Sequence, residues 1–207
     1  MMKKVCQNWA TDAFDKTLVN SRHWTEFEQN AKAAAAEIIR VKNLQEAQTR
    51  IEELAQTLKV KSIIATGSES DAGIDTLYKN LALPARPVYT EKFTIAENAP
   101  HADLGISLAE FGIGETGSVC VDTFSYEARV VGMLPPAHIV LLNSHHMVKN
   151  VTDAFQIISR VFKRGYMGFI TGPSRTADIE RVLSLGVHGP SRFFIIAIDE
   201  METRRIQ

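Results

Sequence analysis

Runs of apolar residues alternate along the chain with segments whose apolar positions recur at helical spacing. The clearest amphipathic segment, residues 44–58, follows Asn43, a residue that caps helices, with Glu46 three positions on. Short runs rich in β-branched and aliphatic residues predict strands around it. These runs are residues 37–41, 62–66, 88–89, 104–108, 118–122, 138–142, 166–171 and 193–198. Strands that alternate with helices indicate an α/β protein with an open, mostly parallel sheet flanked by helices.

Helical patterns also predict a division of the chain into an N-terminal extension and a main domain. After residues 44–58, the further predicted helices of the main domain are residues 71–81, 127–134, 152–162 and 179–185. Residues 1–35 are predicted to be a helical extension with scattered apolar anchors, which either a partner or the protein's own core covers. These anchors are Trp9, Phe14, Leu18, Trp24 and Phe27. We therefore predict an N-terminal helical extension over residues 1–35 and an α/β domain over residues 36–207.

The composition narrows the class of protein. The chain has 207 residues, 45% of them hydrophobic, which is enough for one domain with its own core. A formal net charge of −1 argues against nucleic acid as a partner, since such binding favours a strongly basic face. No apolar stretch approaches the roughly 20 residues needed to span a bilayer. The N-terminus also lacks the hydrophobic core of a signal peptide. These features predict a cytoplasmic protein without a membrane span.

The cysteine content limits redox chemistry within this chain. Cys6 and Cys120 are the two cysteines, and they form no C-x-x-C pair. An iron–sulfur cluster usually takes four thiolates. We therefore expect no metal and no cofactor in this chain, and we expect any electrons to travel elsewhere.

A glycine-rich segment, Gly112–Gly117, has the G-x-G-x-x-G pattern of dinucleotide-binding proteins. That fingerprint requires a strand before the glycines and a helix after them. Residues 118–122 are strand-like instead, which favours a hairpin turn. Glu115 and Thr116 then lie at its tip with Gly117. Glu115 is either a solvated turn residue or a working carboxylate that serves as base, nucleophile or ligand anchor.

The densest cluster of polar groups is the segment Gly172–Glu180. Gly172 leaves a predicted strand, Pro173 sets a turn, and Ser174 or Thr176 can cap the helix predicted to follow. Backbone N–H groups at such a point bind anions, and Arg175 adds a forked cation. Asp178 and Glu180 would lie in the first turns and already complement the helix dipole. Two interpretations stay open: a well-capped helix, or a ligand site at the carboxyl end of a strand.

Two histidines stand at predicted strand starts. His188 lies between Gly186 and Pro190 just before the last strand, and it is either a proton-transfer group or a structural loop residue. His138 follows Pro135-Pro136, where a structural role is favoured.

Four segments together resemble the lactate-utilisation protein C family, the LUD domain. They are Ile113–Ser118, Leu134–Ile139, Gly172–Glu180 and Gly186–Pro190, in the order and spacing of the family. The resemblance covers roughly residues 36–207. It departs from the family pattern at Gly114, where alanine is usual, and at Ser118, where threonine is usual.

The resemblance implies a fold and a pathway. The implied fold is that of ribose-5-phosphate isomerase, glucosamine-6-phosphate deaminase and the CoA transferases. The implied role is the oxidation of L-lactate to pyruvate, shared with partner proteins that carry the iron–sulfur clusters. The resemblance does not define this subunit's own chemistry, and whether it is an enzyme stays open.

Three functional hypotheses follow. In the first, the chain is a subunit that binds a small anionic ligand between the Glu115 turn and the loop after Gly172. The ligand-binding candidates are Thr116, Gly117, Gly172, Ser174, Arg175, Thr176 and Asp178. In the second, it is a free-standing enzyme for a CoA thioester, sugar phosphate or nucleotide-activated acid, with Glu115 as the working carboxylate and His188 assisting proton transfer. In the third, it is a scaffold whose N-terminal helices dock partners.

Overall fold

A computed structural model describes residues 3–4, 18–69, 71–83, 85–164, 166–176, 184–186 and 188–201. Within these ranges the α-helices are α1 (Trp24–Ala33), α2 (Leu44–Thr57), α3 (Ala72–Leu81), α4 (Lys92–Asn98), α5 (Tyr126–Met133) and α6 (Val151–Val161). The strands up to the chain's midpoint are β1 (Lys3–Lys4), β2 (Glu37–Asn43), β3 (Ile63–Ala65), β4 (Val88–Tyr89) and β5 (Leu104–Ile113). The later strands are β6 (Ser118–Asp122), β7 (Ala137–Asn143), β8 (Met147–Val148), β9 (Phe162–Arg164), β10 (Met167–Ile170), β11 (Arg175–Thr176), β12 (Ser184–Leu185) and β13 (Arg192–Glu200).

Polar side chains fix where the helices begin. Asn43 caps α2 by accepting a hydrogen bond at Oδ1 from the backbone N–H of Glu46, at 3.0 Å. Asp71 caps α3 in the same way, because its Oδ1 accepts hydrogen bonds from the N–H groups of Gly73 at 2.7 Å and Ile74 at 3.2 Å. These caps satisfy backbone donors that have no partner within the helix. The predicted helices at residues 44–58 and 71–81 are confirmed.

The main sheet is mostly parallel. Six strands pair in parallel in the order β4-β3-β5-β7-β13-β2, and β8 pairs in parallel with the end of β5. Strands β6 and β10 add an antiparallel extension beside β5. The long strand β5 joins the two parts, because it pairs in parallel with β7 up to Leu108 and antiparallel with β6 from Ala109. A register shift between Ala109 and Phe111 marks the change of partner. The arrangement confirms the predicted α/β class.

Helices bury both faces of the sheet. On one face α2 and α3 pack against alternate residues of β7 and β13, among them Ile139 and Ile196. On the other face α1 buries Trp24 and Phe27 against Val140. The protein's own core therefore covers these two N-terminal anchors. Trp9 and Phe14 lie outside the described residues, and the division of the chain at residue 35 stays a prediction.

The helix predicted at residues 179–185 does not begin at Ser174 or Thr176. Arg175 and Thr176 form β11, which pairs antiparallel with Leu185 and Ser184 of β12. The backbone of Ser174 is engaged as well, because its N–H donates to Pro190 O at 2.8 Å and its carbonyl accepts from Gly186 N at 2.9 Å. A residue held by both backbone groups in this way continues a paired segment and does not start a helix. Residues 177–183 lie outside the described ranges.

None of the described helices is both long enough and apolar enough to cross a membrane.

Candidate functional site

The Glu115 turn closes the β5–β6 hairpin. Residues 114–117 form the turn, with Gly117 N donating to Ile113 O at 2.9 Å, so the hairpin interpretation of the glycine-rich segment is confirmed. The Glu115 side chain is exposed, and its Oε2 accepts from the backbone N–H of Val151 at 3.1 Å. Val151 is the first residue of α6. The carboxylate therefore lies at a helix N-terminus, where negative charge is stabilised.

A chain of hydroxyl groups joins this turn to the segment that contains Gly172. Ser118 Oγ lies 2.7 Å from Thr116 Oγ1 and 2.6 Å from Thr171 Oγ1. The contact follows from the pairing of β6 with β10, which sets Val119 opposite Ile170. Thr116 and Gly172, far apart in the sequence, are thus brought to one region of the molecule.

The carboxyl end of α1 packs against both glycines of this region. Gly117 and Gly172 have φ values of +66° and +72°, a conformation that favours glycine. A Cβ at Gly117 would overlap the backbone of Ala31, and a Cβ at Gly172 would overlap the carbonyl of Ala34. Packing against this helix end is therefore sufficient reason for glycine at both positions, and their role in ligand binding stays a prediction.

Asn30 of the same helix fixes the turn from the other side. Its Nδ2 donates to Gly114 O at 2.8 Å and to Glu115 O at 3.1 Å. The backbone of the Glu115 turn is thereby held between α1 and the start of α6.

The loop after Gly172 lies at the amino ends of the central strands. Ser191 N donates at 2.9 Å to Pro136 O, one residue before β7, and Ser191 immediately precedes β13. The sequence predicts this motif at the carboxyl edge, where open α/β sheets bind ligands. It does follow the carboxyl end of β10, but the bonds from Ser174 N to Pro190 O and from Ser191 N to Pro136 O hold it beside the amino ends of β7 and β13. Arg175 and His188 are exposed there. Asp178 lies outside the described residues.

The carboxyl edge instead holds a cavity of about 300 Å³. It opens where β3 and β4 end and where β5 changes from parallel to antiparallel partners. Its walls come from separate segments of the chain: Thr66, Gly67, Ser68, Glu69, Thr90, Lys92, Ile95, Leu108, Glu110, Asp122, Ser125, Glu127 and Ala128. Sequence reasoning missed this site. The available signal was the strand at residues 62–66, followed at once by Gly67, three polar residues and the cap of α3.

Glu127 is the most deeply placed charge in the cavity wall. Its side chain is nine-tenths buried, and Oε1 makes no hydrogen bond. Lys92 Nζ is 3.6 Å from that oxygen. Burial acts to raise the pKa of Glu127, but hydrogen bonds from its own backbone and from Ser125, with the charge of Lys92, outweigh it and lower the pKa. The carboxylate is therefore ionised at neutral pH.

His138 lies in the core below α5. Its Nε2 is 2.8 Å from Ser107 Oγ, its ring lies 5.6 Å from that of Phe193, and its Nδ1 is buried without a hydrogen-bond partner. Burial lowers the pKa of His138 to about 4. The imidazole is consequently neutral at physiological pH, in keeping with the structural role favoured from the sequence.

Among the described residues, no three His, Cys, Asp or Glu side chains are grouped so that they could hold a metal ion. Cys120 is a buried residue of β6. Cys6 lies outside the described ranges.

Comparisons with known proteins point to one family. A family model described as LUD domain matches residues 24–198. The chain is similar to lactate utilization protein C of Oceanobacillus iheyensis, with 29% identity over 162 residues, 72% of this chain and 68% of that protein. It is also similar to lactate utilization protein C 1 of Bacillus mycoides, with 35% identity over 107 residues, 49% of this chain and 46% of that protein. The chain spans about half the length of most of the curated relatives that it matches.

A solved structure gives the same fold. The crystal structure of a DUF162 family protein from Deinococcus radiodurans has a TM-score of 0.61 to this chain, at 18% identity. The match covers 86% of this chain and 97% of the solved one.

Proposed function

The chain belongs to the LUD domain family, whose model matches residues 24–198, and from this we propose that it acts in lactate utilisation. We propose further that it is one component of a system that oxidises L-lactate to pyruvate. The observation that carries the proposal is its similarity, at 29% to 35% identity, to relatives named lactate utilization protein C.

In this proposal the electrons pass through partner proteins that carry iron–sulfur clusters. The chain has two cysteines, whereas such clusters usually take four thiolates. Cys120 is fully buried in β6, away from any exposed surface. The contribution of this chain is then to bind a ligand or a partner, in the cytoplasm.

The proposed ligand is a small anion held near the exposed guanidinium of Arg175. The Ser118–Thr171 contact brings Thr116 and the start of this loop together, which supports a site shared by the two segments. Because Ser174 N already donates to Pro190 O, Arg175 is the stronger anchor. Guanidinium groups suit carboxylates because they offer paired donors in a fixed geometry.

Growth and binding test the two parts of this proposal separately. We expect deletion of the gene from its bacterium to abolish growth on L-lactate as sole carbon source and to leave growth on glucose unchanged. Undiminished growth on lactate would overturn the proposed role.

For the anchor, lactate and pyruvate are titrated calorimetrically into the purified wild type, Arg175→Ala and the control Arg50→Ala. Arg50 is exposed on α2, far from the loop in sequence. Loss of a charge-assisted pair predicts roughly tenfold weaker binding for Arg175→Ala alone. Equal binding by all three proteins would remove Arg175 from the site.

A second candidate function is catalysis by Glu115 in a free-standing enzyme. It is favoured by the Val151 N–H bond, which fixes the orientation of an exposed carboxylate at a turn. His188, exposed in the loop after Gly172, would assist proton transfer. Acyl transfer from a CoA thioester is the reaction to assay. The control variant is Glu97→Gln, at an exposed glutamate on α4. Turnover lost in Glu115→Gln but kept in Glu97→Gln would support this function. Turnover retained by both variants would exclude it.

A further inference from the structure

Strand β10 forms one edge of the main sheet. It pairs with β6 on one side, and no other strand in the described part of the chain pairs with its outer side. Thr123 N donates to Tyr166 O at 2.9 Å, so the hydrogen-bonded positions of this antiparallel pair are Tyr166 and every second residue after it. The backbone N–H and C=O groups of Met167 and Phe169 therefore point away from β6. They form an outer edge on which a further strand can pair.

The sequence of this edge does not discourage such pairing. Natural edge strands are protected by charged side chains, proline, bulges or a covering segment. The segment 166–171 has no charged residue and no proline, and its register with β6 is regular. Strand β2, at the opposite edge of the sheet, carries Glu37, Arg40 and Lys42. The two edges therefore differ, and β2 alone has the charges that keep other strands away.

An aromatic patch borders the outer edge of β10 and consists of Phe124, Phe155, Tyr166 and Phe169. Phe169 is 37% exposed, and its ring lies 5.8 Å from that of Phe155 on α6, which is 56% exposed. Tyr166 is 65% exposed and lies on the other face of the sheet, because side chains alternate along a strand. Phe124 follows Thr123, the partner of Tyr166, and is 49% exposed. Exposed apolar residues that cluster in this way mark an interaction surface.

We propose that β10 pairs antiparallel with β10 of a second copy of this chain, across a two-fold axis. Met167 and Phe169 are two positions apart, so in this pairing their outward N–H and C=O groups meet the same groups of the second copy. The main sheets of the two copies then form one continuous sheet. This inference is independent of the proposed role in lactate utilisation.

The area of the aromatic patch suits a dimer of this kind. Aromatic side chains bury about 150–250 Å² each, so the exposed parts of the four side chains amount to roughly 400 Å². A standard interface buries about 800 Å² on each partner. Roughly 57% of an ordinary interface is apolar. The patch therefore supplies close to the apolar share that one partner needs, and the edge backbone contributes to the polar share.

The mass of the full chain in solution is the first test. In sedimentation equilibrium at micromolar concentrations we expect twice the 23.0 kDa of one chain, since interfaces of standard area reach micromolar or tighter affinity. A chain that stays monomeric at about 100 μM would overturn the proposal.

Phe155→Ser tests whether the aromatic patch forms the contact. Phe155 is more than half exposed, so the substitution leaves the core of each chain intact. The two-fold axis places this ring in the interface twice, and we expect the dissociation constant of the dimer to rise about tenfold or more. The control is Leu83→Ser, at a half-exposed residue before β4, which β3, β5 and β6 separate from β10. Equal dimer affinity in the wild type and both variants contradicts the proposal.

Amide hydrogen exchange tests the strand pairing without any substitution. The N–H groups of Met167 and Phe169 are unpaired in a single copy and hydrogen-bonded in the proposed dimer, so we expect exchange about tenfold or more slower above the dissociation constant than below it. The N–H of Gly168 faces β6 in both states and should change much less. Exchange at Met167 and Phe169 that does not depend on protein concentration would show that the copies do not pair through β10.

Discussion

The two polar regions of this molecule differ in what their polar residues do. Around Gly117 and Gly172, glycine backbones pack closely against α1, while the side chains of Glu115 and Arg175 are exposed. In the wall of the cavity at the carboxyl edge, the Glu127 side chain is nine-tenths buried and paired with Lys92. The first region is dense in sequence motifs, and the second is assembled from dispersed residues. A dense motif therefore marks a tightly constrained backbone as readily as a binding site.

The largest effect expected from this comparison comes from Gly117→Ala. The methyl group would overlap the backbone of Ala31, and the positive φ adds strain. We expect a loss of about 4 kcal/mol in the free energy of unfolding, the sum of the strain and overpacking costs, measured by urea denaturation.

Gly114→Ala is the matched control for that substitution. Its φ is not positive, and an added Cβ would meet Glu26 Oε2 at 3.1 Å and Lys149 O at 3.2 Å. We expect it to cost less than about 1 kcal/mol, because small adjustments relieve such contacts. Equal losses in the two variants would break the argument that close packing on α1 requires glycine at position 117.

A second prediction concerns His138, which lies in the core near Gly132 of α5. Burial lowers the pKa of His138 from 6.5 to about 4. Between these values the unfolded state binds more protons than the folded state, so the free energy of unfolding falls as the pH drops from about 6.5 to about 4. The contribution of His138 over that range is at most about 3 kcal/mol.

His138→Gln should therefore flatten the pH dependence of unfolding over this range, measured by denaturant midpoints at successive pH values. The exposed His101→Gln should leave the wild-type slope in place. A wild-type slope in His138→Gln would show that other groups carry the acid sensitivity.

The smallest expected effect concerns the hydroxyl groups in the region around Gly117 and Gly172. Ser118 is buried and its hydroxyl contacts both Thr116 and Thr171. Removal of this hydroxyl in Ser118→Ala should cost about 1–2 kcal/mol in the free energy of unfolding, measured by thermal and urea denaturation. Ser159→Ala removes an exposed helix hydroxyl bonded to Gln156 O and should cost nearly nothing. A loss in Ser118→Ala as small as in this control would show that the hydroxyl chain does not hold the two segments together.

Local signals were enough to predict most of the elements. Asn43 and the apolar stripe after it are signals contained within one segment, and α2 begins at the predicted residue. The β-branched run at residues 193–198 lies within β13 for the same reason. The helix α4 was not predicted, because seven residues with Ile95 as the one buried side chain give little periodicity.

Features that depend on distant pairing could not be predicted from local signals. Ser174 and Thr176 are good helix caps in isolation, but the pairing of Arg175 with Leu185 places this segment in a hairpin. The cavity has the same origin, since it forms only when the ends of β3 and β4 meet the point where β5 changes partners. Its carboxylates, such as Glu110 and Glu127, have no common motif in the sequence.

The pairing of β2 with β13 has a consequence during synthesis of the protein. Glu37, at the start of β2, forms an ion pair with Arg192, at the start of β13, across 155 positions of sequence. At typical rates of translation β2 emerges from the ribosome roughly 8 to 30 s before its partner. The nascent chain must keep the apolar residues Ile38 and Ile39 from other strands over that interval, so we expect productive folding in the cell to depend on chaperones that bind this edge.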